Sequence, residues 1–173
     1  MNSIIEKTSA YDLLVNLVPG STFLFLLKYL YQFDPCFPNL LVATLFFYFA
    51  GICISRFGSL TLGKLFKKSK YFAEKDYKEF VEASKLDKKI EVLSVVREMY
   101  RSIAAMLILT ILVKPFLFFY NRDLEFSFKD VNEIFFLMLI AVLFLLSYKE
   151  QTQRINIRID KSIDKLSSQQ KDM

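Results

Sequence analysis

Four long apolar segments alternate with polar segments along the chain, and each apolar segment holds at most one charged residue. A helix that crosses a bilayer needs about 20 predominantly apolar residues. The pattern therefore predicts an all-α integral membrane protein in which residues 1–173 form a single membrane domain with four transmembrane helices. The predicted crossings are Leu13–Leu27 extended past Lys28 to Phe33, Asn39–Ser55, Ser102–Asn121 and Val131–Tyr148.

The first crossing contains the pair Pro19–Gly20. Proline removes a backbone donor and glycine lowers helix propensity. We predict that the first helix is kinked or broken there, with a neighbouring helix or Ser21 and Thr22 satisfying the freed carbonyl. The preceding stretch, MNSIIEKTSAYD, lacks the basic leader and cleavage site of a signal peptide, so we expect this crossing to be retained.

The charged residues are distributed unevenly between the polar segments. Arg56–Arg101 holds 12 Lys or Arg against 7 Asp or Glu, and the tail Lys149–Met173 holds 6 against 4. In contrast, Asn121–Glu133 holds 2 basic and 4 acidic residues. Basic excess marks the cytoplasmic side of a membrane. We therefore predict a multi-pass protein of the bacterial inner membrane, with both termini and the middle segment in the cytoplasm.

The middle segment, residues 56–101, is predicted to be a cytoplasmic helical insertion. Apolar residues recur at helical spacing in Glu74–Leu86 and again in Lys88–Arg101, and Asp87 between them is a good N-cap residue. These features predict a helical hairpin between the second and third crossings. We expect its second helix to run straight into the third crossing.

The tail, residues 149–173, is predicted to continue the fourth crossing as a helix. Ile155, Ile159, Ile163 and Leu166 form an apolar stripe at helical spacing. The shorter stretch Arg154–Asp160 alternates polar and apolar residues, which is also compatible with a strand. The stripe of an amphipathic basic helix must be covered, so we expect Ile155, Ile159 and Ile163 to contact a partner, a second copy or the lipid surface.

Composition narrows the chemistry that the chain can perform. It is 54% apolar and 24% charged, and it contains no histidine and only four glycines. The lack of histidine removes Ser-His and Cys-His catalysis and histidine-based zinc sites, and no phosphate-binding glycine loop is present. We expect a protein that is not an enzyme and uses no cofactor or metal. Cys36 and Cys53 are interpreted as small apolar residues.

Three polar residues within the apolar segments are candidates for a pore or cavity, namely Asn16, Lys28 and Lys114. Ionisable residues inside a membrane are functional candidates by default. Both lysines, however, are placed near the outer ends of their helices, where a lysine can extend its ammonium group to the interface. Asn16 is equally compatible with a hydrogen bond between packed helices.

Two basic groups are candidates for contacts with lipid or a partner. The first follows the second crossing and comprises Arg56, Lys64, Lys67, Lys68 and Lys70. Anionic lipid, an acidic protein and RNA all suit such a run, but no aromatic residues are interleaved to stack on bases, so nucleic-acid contact is possible without being indicated. The second comprises Arg97, Tyr100 and Arg101, which are suited to headgroups or to Glu91 or Glu98 of a neighbour.

Four stretches carry a resemblance to a known group: YDLLVNLVPGSTFLFLL, GICISRFGSL, DYKEFVEASKLDKKIEVLSVVREMYRS and SYKEQTQRI. They resemble small four-crossing bacterial membrane proteins associated with anti-phage defence loci, among them the membrane accessory proteins of Cas13b-type CRISPR loci and the membrane subunit of Kiwa defence. One CRISPR-accessory branch has a nuclease-like Arg…His motif, which a chain without histidine cannot match. The resemblance implies a pore or membrane-sensor role.

Three functional hypotheses follow. The first is a membrane accessory or effector of anti-phage defence, a homo-oligomer that forms a pore or couples the membrane to a cytosolic defence protein or nuclease. The second is a small transporter, although the central membrane span contains no Asp or Glu to bind a proton or cation. The third is a holin-like pore former, for which the organised middle segment is larger than needed.

Overall fold

The computed structural model describes residues 2–33, 35–67, 75–120 and 128–171, and within these ranges all the secondary structure is helical. The helices are α1 Asn2–Tyr31, α2 Leu40–Lys67, α3 Tyr77–Leu86, α4 Lys89–Tyr120 and α5 Phe128–Lys171. The residues Arg154–Asp160 lie inside α5, so the strand alternative for them is wrong.

Four of these helices are long and apolar enough to cross a membrane. The candidate spans are Leu13–Tyr31, Leu40–Lys64, Lys89–Leu117 and Val131–Leu166. Large apolar side chains are exposed along all four, as at Phe25, Phe49 and Phe135. Such surfaces are stable when lipid rather than water surrounds them, and they indicate a multi-pass membrane protein.

Helix α4 is the centre of the bundle, because it contacts each of the other four helices. Small side chains permit this position: Ser102, Ala104 and Ala105 are fully buried. The main core cluster joins them to α2 and α5; its buried members are Ile54, Leu62, Ala104, Ala105, Met106, Leu107, Leu137 and Ala141. Leu62 also explains why α2 continues past the predicted end at Ser55, since its side chain packs in this core.

Helices α1 and α2 cross at two glycines. A Cβ atom on Gly20 would overlap the Phe47 carbonyl oxygen and lie 2.7 Å from the backbone nitrogen of Gly51, and one on Gly51 would overlap the Asn16 carbonyl oxygen. The backbones therefore approach as closely as small residues allow. Helix α1 is continuous through Pro19, so of the predicted kink or break, the break is wrong. The pair instead serves packing, since Pro19 is fully buried.

Helices α4 and α5 extend well beyond one bilayer crossing. Their 32 and 44 residues correspond to lengths of about 48 and 66 Å, whereas the hydrocarbon core of a bilayer is about 30 Å thick. As predicted, α4 runs without interruption from Lys89 into the third apolar segment, and α5 continues the fourth apolar segment into the tail.

Helix α3, which is not among the candidate spans, packs against the beginning of α4 and the second half of α5. We call this three-helix unit the polar module. Its core holds Ala83, Ile90, Ile155 and Ile159, each at most 1% exposed, with Phe80, Leu93 and Ile163 packed around them. The module and the bundle are thus joined by two helices that belong to both.

Candidate functional site

A polar pocket lies where the apolar spans of α1, α2 and α4 reach their ends nearest the polar module. Its volume is about 400 Å³. The lining residues are Asn16, Tyr48, Ile52, Ser55, Arg56, Ser59, Glu98 and Arg101. The structure therefore brings together three residues that the sequence singled out separately, Asn16, Arg56 and Arg101.

One carboxylate organises the arginines of α4. Glu98 forms an ion pair with Arg101 and another with Arg97, whose Nη2 lies 3.3 Å from Oε1 of Glu98. Both arginine side chains are largely buried, with 13% and 12% exposed. The sequence leaves headgroups or a neighbour's Glu91 or Glu98 open as partners of these arginines. In the structure, Glu98 binds them within its own chain, because one helical turn places residues 98 and 101 on the same face.

The glycines of α2 fix the position of the pocket walls. A Cβ atom on Gly58 would lie 2.9 Å from the Ala105 Cβ and 3.7 Å from the Arg101 Cγ. The aliphatic part of the Arg101 side chain is therefore held between α2 and α4. The Nε atom of Arg101 is buried and has no hydrogen-bond partner, so Glu98 uses only part of the hydrogen-bonding capacity of this guanidinium group.

Glu98 also lines a second cavity on the other side of the same turn of α4. This cavity has a volume of about 760 Å³ and lies in the polar module. Its lining includes Lys75, Ser94 and Arg97, together with Ile155 and Ile159. The group Arg97–Glu98–Arg101 thus forms a continuous polar link between the membrane bundle and the polar module.

The predicted partner-binding stripe of the tail is an internal core instead. Ile155 and Ile159 are each 1% exposed, and Ile163 packs beside them. Helix α3 and the first turn of α4 supply the apolar surface that covers them. The interpretation of these isoleucines as contacts with lipid or a partner is therefore wrong, since the chain buries them against itself.

Ion pairs hold the polar module together around this core. Asp87 caps α4, because its Oδ1 accepts the Lys89 backbone N–H at 3.0 Å, and its Oδ2 accepts Nη1 of Arg158 at 2.6 Å. Partial burial raises the pKa of the Asp87 carboxyl, but the hydrogen bonds from Lys89 and Arg158 and the charge of Arg158 outweigh it and keep that pKa below 3.8.

A second ion pair joins the start of α3 to α5. The Lys75 ammonium lies 2.8 Å from the Asp160 carboxylate and 3.8 Å from that of Glu79. The hydrogen bond to Asp160, followed by the charge of Asp160, raises the pKa of Lys75 above 10.5. Beside the Asp87–Arg158 pair, a basic crevice of about 540 Å³ is lined by Leu86, Asp87, Arg158, Lys161, Ser162, Lys165 and Leu166.

The remaining candidates from the sequence are dispersed. Lys28 lines a pocket of about 470 Å³ with Ser21, Thr22 and aromatic residues of α1 and α2, and Lys64 is exposed on α2. The Tyr100 ring packs on the Phe144 ring, with 6.1 Å between the ring centroids. The side chains of Lys67 and Lys114, and all of Lys68 and Lys70, lie outside the described residues.

An apolar groove of about 510 Å³ runs along α4 between α1 and α5. Its walls include Pro19, Leu26, Met106, Leu137 and Phe144. No group of three or more Cys, Asp or Glu side chains that could hold a metal is found among the described residues.

No family model, curated protein or solved structure matches the chain.

The sequence prediction did not identify three polar residues of the pocket, namely Tyr48, Ser55 and Ser59. A signal for them exists, because residues 48, 52, 55, 56 and 59 recur at the spacing of one helical face. The predicted end of the second helix at Ser55 hid this pattern. Once α2 is seen to continue to Lys67, the polar face of the helix is evident.

Proposed function

We propose that this chain is a non-enzymatic membrane accessory or effector of a bacterial anti-phage defence system, one that couples the state of its membrane bundle to a cytosolic partner. The observation that carries the proposal is the continuity of the structure between bundle and module. Two helices, α4 and α5, belong to both parts, and the Arg97–Glu98–Arg101 group lines a cavity on each side.

Coupling follows from the stiffness of this connection. A continuous helix transmits a tilt or rotation along its axis because its backbone hydrogen bonds hold each turn to the next. A change in how α4 packs against α1 and α2 must therefore displace the start of α4, which packs on α3 and α5 in the polar module. Signalling across a structure requires an element with two packing arrangements, and the proposal assigns that property to α4.

The proposed topology places the polar module in the cytoplasm of a bacterial cell, with both termini on that side of the inner membrane. The basic excess of residues 56–101 and 149–173 supports this orientation. The partner is a cytosolic defence protein or nuclease, and the basic crevice lined by Arg158, Lys161 and Lys165 suits an acidic surface on it.

The same crevice argues against lipid as the ligand of the tail. Lys165 lies 17 residues beyond Tyr148 along α5, which corresponds to about 25 Å of helix. With the fourth crossing ending at Tyr148, as the sequence predicts within the longer candidate span Val131–Leu166, the lysine is remote from the headgroups at that end. We therefore favour a soluble partner as the ligand of the crevice around Lys165.

A second candidate function is an oligomeric pore. The core between α2, α4 and α5 is filled by residues such as Ile54, Ala104 and Leu107, which are at most 4% exposed. A conducting path would accordingly lie between copies rather than through one chain. The exposed polar side chains of Thr22 and Lys28 on α1 would face such a path, so a homo-oligomer with α1 inward is the arrangement to test.

A phage-challenge assay tests the first proposal. Cells carrying the gene with its native neighbours should reduce plaque formation, and Arg158→Gln should weaken protection because it alters the crevice and its ion pair with Asp87. Arg154→Gln is the matched control, since Arg154 is 65% exposed and bonds only one turn back, to Glu150. Protection that is absent in the wild-type locus, or equal losses in both variants, would contradict the proposal.

A further inference from the structure

The polar pocket between α1, α2 and α4 has more positive charge than its own acidic group neutralises. Arg56 and Arg101 line it, and Glu98 is the carboxylate among its described lining residues. Glu98 is already shared between Arg101 and Arg97. Arg56 is exposed, and none of the described carboxylates forms an ion pair with it. The pocket is therefore poised to accept an anion.

The neutral groups of the pocket favour an oxyanion with several oxygen atoms. The hydroxyl groups of Tyr48, Ser55 and Ser59 come from one face of α2 and line the same wall as Arg56. Hydroxyl groups and guanidinium forks together match the geometry of a phosphate, because arginine donates two parallel hydrogen bonds to neighbouring phosphate oxygens. A volume of about 400 Å³ also leaves room for the group that a phosphate esterifies.

The position of the pocket along α2 and α4 also favours a phosphate ligand. Arg56 follows the uncharged second segment directly, and Arg101 directly precedes the third. The pocket thus lies where two apolar spans give way to polar sequence, which is the level of lipid phosphates at a membrane boundary.

We infer that this pocket binds a phosphate group, carried either by an anionic lipid headgroup or by a soluble phosphorylated compound. Part of the site is built in advance. Gly58 allows α2 to approach α4 so that the Arg101 stem is held in place, and the Nε atom of Arg101 still lacks a partner. A lipid source rests on the proposed membrane orientation, whereas a soluble source does not.

The test uses the full chain in nanodiscs, with binding measured by native mass spectrometry and thermal unfolding. One set of nanodiscs contains phosphatidylcholine alone and a second set contains added phosphatidylglycerol; inorganic phosphate is titrated into the first set, with chloride as the reference anion. Arg56→Gln is the main variant, because Arg56 is exposed and its loss leaves the packed core intact. Lys64→Gln removes the same charge from the same helix outside the pocket, and Arg56→Lys keeps the charge without the fork.

We expect Arg56→Gln to weaken binding of phosphatidylglycerol or inorganic phosphate about tenfold or more, as the loss of a charge-assisted hydrogen bond implies. Lys64→Gln should change it less than about twofold, and Arg56→Lys should lie between Arg56→Gln and wild type because a lysine binds phosphate as a point charge. In phosphatidylcholine nanodiscs without added phosphatidylglycerol or inorganic phosphate, all variants should unfold at the wild-type temperature.

The outcomes distinguish a lipid headgroup from a soluble phosphorylated compound, and both from a pocket that binds no phosphate. Selective retention of phosphatidylglycerol that depends on Arg56 identifies a lipid headgroup, and stabilisation by inorganic phosphate that depends on Arg56 identifies a soluble ligand. If neither ligand binds more tightly than its reference, or if Arg56→Gln and Lys64→Gln weaken binding equally, the pocket is not a phosphate site.

Discussion

The Arg158 guanidinium donates from Nη1 to Oδ2 of Asp87 at 2.6 Å, and this contact joins residues 71 positions apart in the sequence. The same carboxylate caps α4 through Oδ1. The Asp87 side chain, which follows α3, therefore caps the beginning of α4 and also binds α5 through Arg158. The polar module is organised around this residue as well as around its apolar core.

Asp87→Ala should destabilise the protein by about 1–2 kcal/mol, because it removes both the N-cap of α4 and the partner of Arg158. Arg158→Gln should destabilise the protein less, by about 0.5 kcal/mol, because the ion pair that it removes is partly exposed to solvent. This variant retains Asp87 and therefore the cap of α4. Thermal unfolding of detergent-solubilised protein measures both. Equal losses for the two variants would mean that capping contributes nothing.

The pH dependence of stability should report Asp87. The pKa of the Asp87 carboxyl is lowered in the folded protein, so its contribution to stability is fully present above the usual aspartate pKa and is lost as the pH falls through the lower folded pKa. The difference in unfolding temperature between wild type and Asp87→Asn should therefore be smaller at pH 3 than at pH 6. Asp76→Asn is the control, because Asp76 is exposed and makes no side-chain cap hydrogen bond. A wild-type advantage over Asp87→Asn that persists undiminished at pH 3 would contradict this assignment.

The close crossing of α1 and α2 predicts different effects for two glycine-to-alanine substitutions. Gly20→Ala should destabilise by about 1–3 kcal/mol, because the added carbon overlaps the backbone of α2, which cannot move aside as a flexible side chain can. Gly63→Ala should stabilise by up to about 1 kcal/mol, because a Cβ there meets only the Gly58 carbonyl oxygen at 4.0 Å and alanine favours the helix. Unfolding in detergent distinguishes them; a stable Gly20→Ala protein would refute the close crossing.

The buried stripe of the tail predicts loss of the polar module when it is charged. Ile159→Asp should destabilise the module by about 3 kcal/mol or more, because a carboxylate would replace a side chain that is 1% exposed. Ile157→Asp, at a position that is 54% exposed, should have little effect. The rate of proteolytic cleavage within α3 in the detergent-solubilised protein measures how readily the polar module unfolds. Equal cleavage of the two variants would contradict burial of the stripe.

The comparison between sequence and structure shows what periodicity can establish. It predicted the four apolar helices, the Asp87 cap and the continuity of α4 and α5, because these depend on residues close together in the chain. It identified Asn16, Arg56 and Arg101 only one at a time, since their meeting depends on how three helices pack. It also misassigned the isoleucines of the tail, because an amphipathic stripe does not reveal whether its cover is another molecule or α3 of the same chain.

The Pro19–Gly20 pair shows that tertiary contacts can also outweigh a local prediction. Local propensity favours an interruption at this pair, yet α1 continues through it. Burial of Pro19 and the backbone contact at Gly20 supply tertiary interactions that outweigh the local preference. Such interactions lie outside what a helix-propensity argument can include.

Cysteine labelling in intact cells tests the central claim, a membrane bundle coupled to a polar module in the cytoplasm, most directly. In a Cys53→Ser background, the exposed native Cys36 between α1 and α2 should react with a membrane-impermeant maleimide. In a Cys36→Ser, Cys53→Ser background, Lys75→Cys at the edge of α3 should react only after the membrane is permeabilised. Labelling of position 75 in intact cells, with Cys36 protected until permeabilisation, would place the module outside and contradict the account.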